Sequence, residues 1–246
     1  MIELVGFDGD DTLWHSEGYY QAVHGEFERV LGRYIDLADA RVHERLLAME
    51  RENLHLFGYG AKGMTLSMLE TAISLTGERI TASDLHHLLR LGKDILRHPV
   101  ELLTGIRDAV AEVARDCRVV LITKGDLFHQ EAKVAASGLG ELFHRIEIVS
   151  EKDEKAYRRV LAEFGVDASR FLMVGNSLRS DIEPVLELGG WGLHMPYHVT
   201  WAHEAQHGVD PGHPRLLRVD APAQIPEALR KLQARASGVE AMTLPG

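Results

Sequence analysis

Three aspartates, Asp8, Asp10 and Asp11, stand just behind the short apolar run Ile2-Glu3-Leu4-Val5. A run with so little polar alternation reads as a strand buried on both faces, as in parallel sheets covered by helices. Open sheets of that kind bind ligands beyond the carboxyl ends of their strands, which is where these carboxylates fall. Clustered carboxylates repel one another unless a cation gathers them, and magnesium, a hard oxygen-preferring ion, suits the donor set. A solvated acidic turn with Asp11 as a helix cap explains one aspartate well. It does not explain D-x-D-D-T-L set against an apolar strand.

The next eighty residues switch to helical periodicity. Helices are expected over Ser16–Leu31, about Leu37–Leu54, roughly Gly63–Leu75, and from Thr81 or Ser83 to just before Pro99. That is too much chain for a single crossover between strands, so residues 16–98 read as an inserted all-helical domain. Its loop Phe57-Gly58-Tyr59-Gly60-Ala61-Lys62-Gly63 combines glycines with a lysine that can face an anion; a plain turn with a solvated lysine is the simpler reading. Alternation then resumes. A helix over about Ile106–Ala114 leads to the strand Val119–Ile122, then Thr123-Lys124-Gly125-Asp126 and a helix over Leu127–Ser137. A hydroxyl, a glycine and a helix N-terminus at a strand end make a small anion cradle, or simply a capped helix. Ile146–Val149 precedes Lys152 and Lys155, and Arg170–Val174 precedes Gly175-Asn176-Ser177-Leu178-Arg179-Ser180-Asp181. Strands over Gly190–Met195 and Leu216–Val219, a helix over Gln224–Arg235 and a flexible tail over 237–246 complete the expectation.

Taken together, four stretches resemble the motifs of the haloacid dehalogenase-like (HAD) hydrolase superfamily. They are D-x-D-D-T after the first strand, a threonine ending the second, a lysine after the third, and G-N-x-x-x-x-D after the fourth. The resemblance implies an α/β fold, a Rossmann-like mainly parallel core over 1–15 and 99–236, with residues 16–98 as a helical cap. It implies a magnesium-dependent phosphatase that hydrolyses a small phosphorylated metabolite through an aspartyl-phosphate. Asp8 would be the nucleophile and Asp10 the general acid/base. Thr123 would hold a phosphoryl oxygen, with Lys124 and Gly125 in the same cradle and Lys62 as a cap-loop contact. Lys152 is chosen over Lys155 for charge neutralisation because it lies nearer the strand end. Asp8, Asp10, Asn176 and Asp181 would hold the metal, Asn176 standing where the family usually has aspartate. Asp11 replaces a more common glycine. Asp10 argues against dehalogenation, since the dehalogenating branch lacks that second aspartate.

Other readings compete. His203-Glu204-Ala205-Gln206-His207, with His213, matches a zinc-protease pattern, but Gly208 follows at once where that pattern needs a continuous helix. A HAD-fold protein that binds without catalysis is a further alternative. A formal net charge of −10 argues against nucleic acid or an anionic membrane as the partner. The single cysteine, Cys117, beside an expected strand, reads as a packed thiol. Without an apolar leader or a membrane-length run, the expected location is cytoplasmic.

Overall fold

The computed structural model describes residues 1–199, 204 and 207–236. The expected tail over 237–246 and His203 lie outside them. Six strands, β1 (Leu4–Phe7), β2 (Arg118–Lys124), β3 (Arg145–Val149), β4 (Phe171–Gly175), β5 (Trp191–His194) and β6 (Leu216–Arg218), form one parallel sheet in the order β3-β2-β1-β4-β5-β6. β1 lies near the middle of the order, with Phe7 level with Leu121 of β2 and Val174 of β4.

The apolar strands are explained by a sheet that serves two cores at once. Val5, Phe7, Val119, Leu121, Leu172 and Val174 belong to one buried cluster, shared with helices α6 (Ile106–Asp116) and α10 (Ile225–Ala236). Their alternate neighbours Leu4, Val120, Ile122, Phe171 and Met173 belong to another, shared with α8 (Glu154–Phe164). This is the period of two of a pleated strand, each side chain bringing about 1.5–3 kcal/mol of burial to its own face. Gly6 falls on the second face, and a Cβ there would lie 2.8 Å from Met173 Sδ and 2.9 Å from Phe171 Cζ. The first strand accordingly runs Leu4–Phe7 rather than Ile2–Val5, because Gly6 makes room for large neighbours instead of ending the strand.

The chain divides into two compact units. The first, residues 1–15, 100–124 and 132–246, carries the sheet. Within it Trp14 bridges Leu102 in antiparallel fashion, His15 N–H donates to Glu101 O at 2.9 Å and Leu103 N–H to Leu13 O at 2.9 Å. These bonds clasp together the two stretches that flank the helical insertion.

The second unit, residues 16–99 and 125–131, contains α1 (Glu17–Leu31), α2 (Leu37–Ala40), α3 (Val42–Phe57), α4 (Ala61–Leu75) and α5 (Ala82–Arg97). Val23, Phe27, Leu31, Leu46, Met68 and Leu88 lie in its own core cluster. α4 and α5 pack closely at Gly92, where a Cβ would lie 1.8 Å from Thr65 Oγ1. Two expectations need correction here. The helix read over Leu37–Leu54 is two helices, because Arg41 adopts a left-handed conformation (φ 47°) between them. The helix expected from Gly63 begins at Ala61, in the glycine-rich loop itself. The expected Leu127–Ser137 helix, α7, has those bounds.

Among the described residues no helix is long and apolar enough to cross a membrane. Cys117 is buried and unbridged.

Candidate active site

Asp8 is the first residue after β1, and its N–H donates to Val174 O at 2.9 Å, which continues the ladder toward β4. Its carboxylate is buried. Lys152, from the loop after β3, reaches Asp8 Oδ1 with Nζ and also donates to Asp181 Oδ1 at 2.7 Å. Thr12 Oγ lies 3.0 Å from Asp8 Oδ2 and 3.3 Å from Asn176 Oδ1, and accepts the Asn176 N–H at 3.1 Å. Thr12 thus joins the first motif to the last.

Asp181 is 1% exposed, on a π-helical turn over Leu178–Ile182. Its Oδ2 accepts the Ser177 N–H at 3.0 Å. The carboxylate folds back over the end of β4, where a Cβ on Gly175 would lie 2.2 Å from Asp181 Oδ2. The glycine of G-N-x-x-x-x-D is there to admit that carboxylate. Tyr157 of α8 donates its hydroxyl to Ser180 O at 3.0 Å and packs the turn from below.

Two buried carboxylates on one ammonium leave excess negative charge. Burial pushes the Asp8 carboxyl up to about 7, with Asp181 and Asp10 adding to the rise and Lys152 opposing it. Burial alone would lower the Lys152 pKa, but Asp181 and Asp8 hold it above the usual lysine value, so it remains charged. Lys155, inside α8, is exposed. The lysine nearer the strand end is the one that meets Asp8.

The Asp10 carboxylate is held separately. Its Oδ1 accepts from Trp14 Nε1 at 2.7 Å and from Lys133 Nζ at 2.6 Å. Asp11 sits at φ 60°, the left-handed region that favours glycine, which aspartate tolerates better than most residues. Thr123, at the end of β2, is buried beside Gly9, where a Cβ would come within 3.1 Å of Thr123 Oγ1.

Lys124 does not stand as an open cradle charge. It forms an ion pair with Glu204 and donates to Ser180 Oγ at 2.9 Å, while Ser180 Oγ donates to Glu204 Oε1 at 2.8 Å. Burial works to raise the Glu204 pKa, and Lys124 reverses this and holds it below the usual value. In the second unit, Lys62 pairs with Asp126 at 2.9 Å and lies 5.2 Å from the centre of the Phe128 ring. Gly125, also in that unit, adopts φ 138° against Gln130, as only glycine does readily.

The zinc pattern finds no support. His203 lies outside the described residues, Glu204 is engaged by Lys124, and His207 and His213 accept N–H bonds from Val209 and Arg215 in their own loop. Among the described residues no three His, Cys, Asp or Glu side chains gather at metal-holding spacing. A cation near Asp8 would therefore draw on Asp8, Asp181 and neutral oxygens such as that of Asn176, a set that fits a hard ion.

The sequence assigns no role to Thr12, Lys133 or Ser180, and one to Glu204 only within the zinc-protease pattern. Thr12 carried a signal as the last letter of D-x-D-D-T. The others meet their partners across 24 to 123 residues of sequence, with no local pattern to mark them.

A family model described as haloacid dehalogenase-like hydrolase matches residues 2–189. A solved haloacid dehalogenase-like family hydrolase from Xanthomonas campestris is 55% identical over 96% of this chain and 98% of its own, with a TM-score of 0.88. A 2-haloacid dehalogenase from Pseudomonas syringae is 19% identical over 94% and 99%, with a TM-score of 0.60. A predicted phosphoglycolate phosphatase from Haemophilus somnus is 17% identical over 93% and 98%, also at 0.60. The last two share the fold. A comparison with curated protein sequences finds no match.

Proposed function

Because the chain belongs to the haloacid dehalogenase-like hydrolase family, we propose that it is a phosphatase acting on small phosphomonoesters through an aspartyl-phosphate on Asp8. One observation carries this reading. A buried carboxylate at the end of a central strand shares a lysine with a second carboxylate, and a further aspartate follows two residues on. The Asp8–Lys152–Asp181 group alone serves a dehalogenase equally well. Asp10 is what favours phosphoryl transfer, because an alcohol leaving group needs a proton that a halide does not.

In the first step an Asp8 oxygen forms a bond to phosphorus as the ester P–O bond breaks, and Asp10 gives its proton to the departing oxygen. In the second, the Asp10 carboxylate takes a proton from water as that water attacks the phosphorus. Inorganic phosphate leaves and the Asp8 carboxylate is restored. Lys152 offsets negative charge on Asp8 and on the phosphoryl oxygens, and Thr123 donates to one of those oxygens. Magnesium, when bound through Asp8, Asp181 and Asn176, supplies further neutralisation. The Asp10 side chain, engaged by Trp14 and Lys133, is assigned proton transfer rather than metal binding. The helical unit over residues 16–98 is assigned the part of a selectivity cap.

The test compares release of phosphate from an aryl phosphate with release of halide from a 2-haloacid, both with magnesium present. The expected result is phosphate release only, with phosphate trapped on Asp8 when turnover is quenched. Asp8→Asn should lower turnover by at least about a thousandfold. Halide release without phosphate release would reverse the assignment.

A further inference from the structure

Lys133 is an unusual residue for its place. It stands in α7, is 8% exposed, and its neighbour Val134 belongs to the sheet's buried core. Ordering a lysine side chain there costs conformational entropy, besides the desolvation of its charge. Its ion-pair partner is Asp10, at 2.6 Å. The same Asp10 oxygen accepts from Trp14 Nε1 at 2.7 Å, and Trp14 is itself 1% exposed. Two donors fixed in the core thus converge on one oxygen of a carboxylate whose own residue is only partly buried.

We propose that Lys133, with Trp14, is a positioning residue that sets the orientation of the Asp10 carboxylate for proton transfer. This rests on the phosphatase reading above. A proton added to Oδ1 would meet both N–H donors, so the proton that Asp10 gives and takes is carried on Oδ2. Holding Oδ1 fixes the carboxylate plane and with it the direction in which Oδ2 offers that proton. A general acid aimed in this way contributes typically about 10²–10⁴-fold, and only where the leaving oxygen needs protonation. A purely structural ion pair between α7 and the loop after β1 would instead affect all esters alike.

Leaving-group dependence separates the two. kcat/KM covers the chain of steps up to cleavage of the ester bond, and is measured with magnesium for an alkyl phosphate and for p-nitrophenyl phosphate, whose leaving group departs with little protonation. Lys133→Met is expected to lower kcat/KM for the alkyl ester about a hundredfold or more and for the aryl ester less than about tenfold. Lys133→Arg, which keeps a cationic donor, should recover part of the alkyl-ester loss. If Lys133→Met does not fold, Lys133→Arg alone carries the test, because its displaced donor should still impair the alkyl ester more than the aryl one. Equal losses on both esters, or wild-type rates on both, would overturn the positioning role and leave the phosphatase reading intact. A wild-type protein that cleaves neither ester would remove that reading and this one with it.

Discussion

Replacing Lys152 by methionine tests the charge balance of the site directly. The variant keeps the volume of the side chain and removes the one ammonium that Asp8 and Asp181 share. All three residues are at most 6% exposed, so water cannot take its place without rearrangement. Removing one partner of a buried ion pair costs about 3–5 kcal/mol. For a chain of this size each kcal/mol moves Tm by about 2–4 °C, which gives a fall of roughly 6–20 °C at pH 8. The carboxylates can escape part of that cost by protonation. Asp8 already sits at about 7 with Lys152 present, and losing the cation drives it higher. Its native pKa then lies above the unfolded value of 3.8, so the folded state binds more protons and stability falls as pH rises. The stabilising protonation is complete below about 3.8 and is lost as pH climbs through the native value, about 7 in the wild type and higher in the variant. The deficit should therefore be largest at pH 8 and smaller at pH 5.5. Thermal and urea unfolding at both pH values would measure it, with the exposed Lys155→Met as control. A variant melting within about 2 °C of wild type at pH 8, or an equal deficit at both pH values, would refute the reasoning.

Two further substitutions address the last motif. Gly175→Ala inserts a methyl where Asp181 Oδ2 would be 2.2 Å away, so Asp181 must leave Lys152. Overpacking of this kind costs about 1–3 kcal/mol by urea unfolding, and a displacement of about 1 Å at a catalytic group lowers turnover about a hundredfold. Unchanged stability and turnover would remove Asp181 from its assigned place. Asn176→Asp restores a formal charge to the oxygen set and should lower the magnesium concentration for half-maximal activity several-fold, since a hard cation is held largely by charge. A magnesium titration identical to wild type would take residue 176 out of that set.

Much of the sheet is legible because β2 and β4 are written in nearly uninterrupted apolar letters, and α7 because a glycine and an aspartate announce its start. The left-handed turn at Arg41 is not legible, since neither glycine nor proline marks it. The end of β1 is hidden for a related reason: Gly6 looks like a strand terminator until Phe171 and Met173 are beside it. At the site, Lys152 was chosen over Lys155 on distance from the strand end, a local property. That Lys124 meets Glu204 depends on a loop eighty residues away returning to the end of β2, and no local pattern encodes such a return.

The clasp between Leu13–His15 and Glu101–Leu103 gives the helical insertion a simple topological status. To the sheet, everything between residues 15 and 100 is the tip of a hairpin whose stem is already closed. The entropy of closing such a stem grows only logarithmically with what hangs from it, about 0.6 kcal/mol for each doubling of length. The entropy of closing the stem is therefore nearly indifferent to the size of the insertion so long as the stem pairs. Helices can be lengthened, exchanged or rebuilt there with little penalty to the framework that holds Asp8 and Lys152.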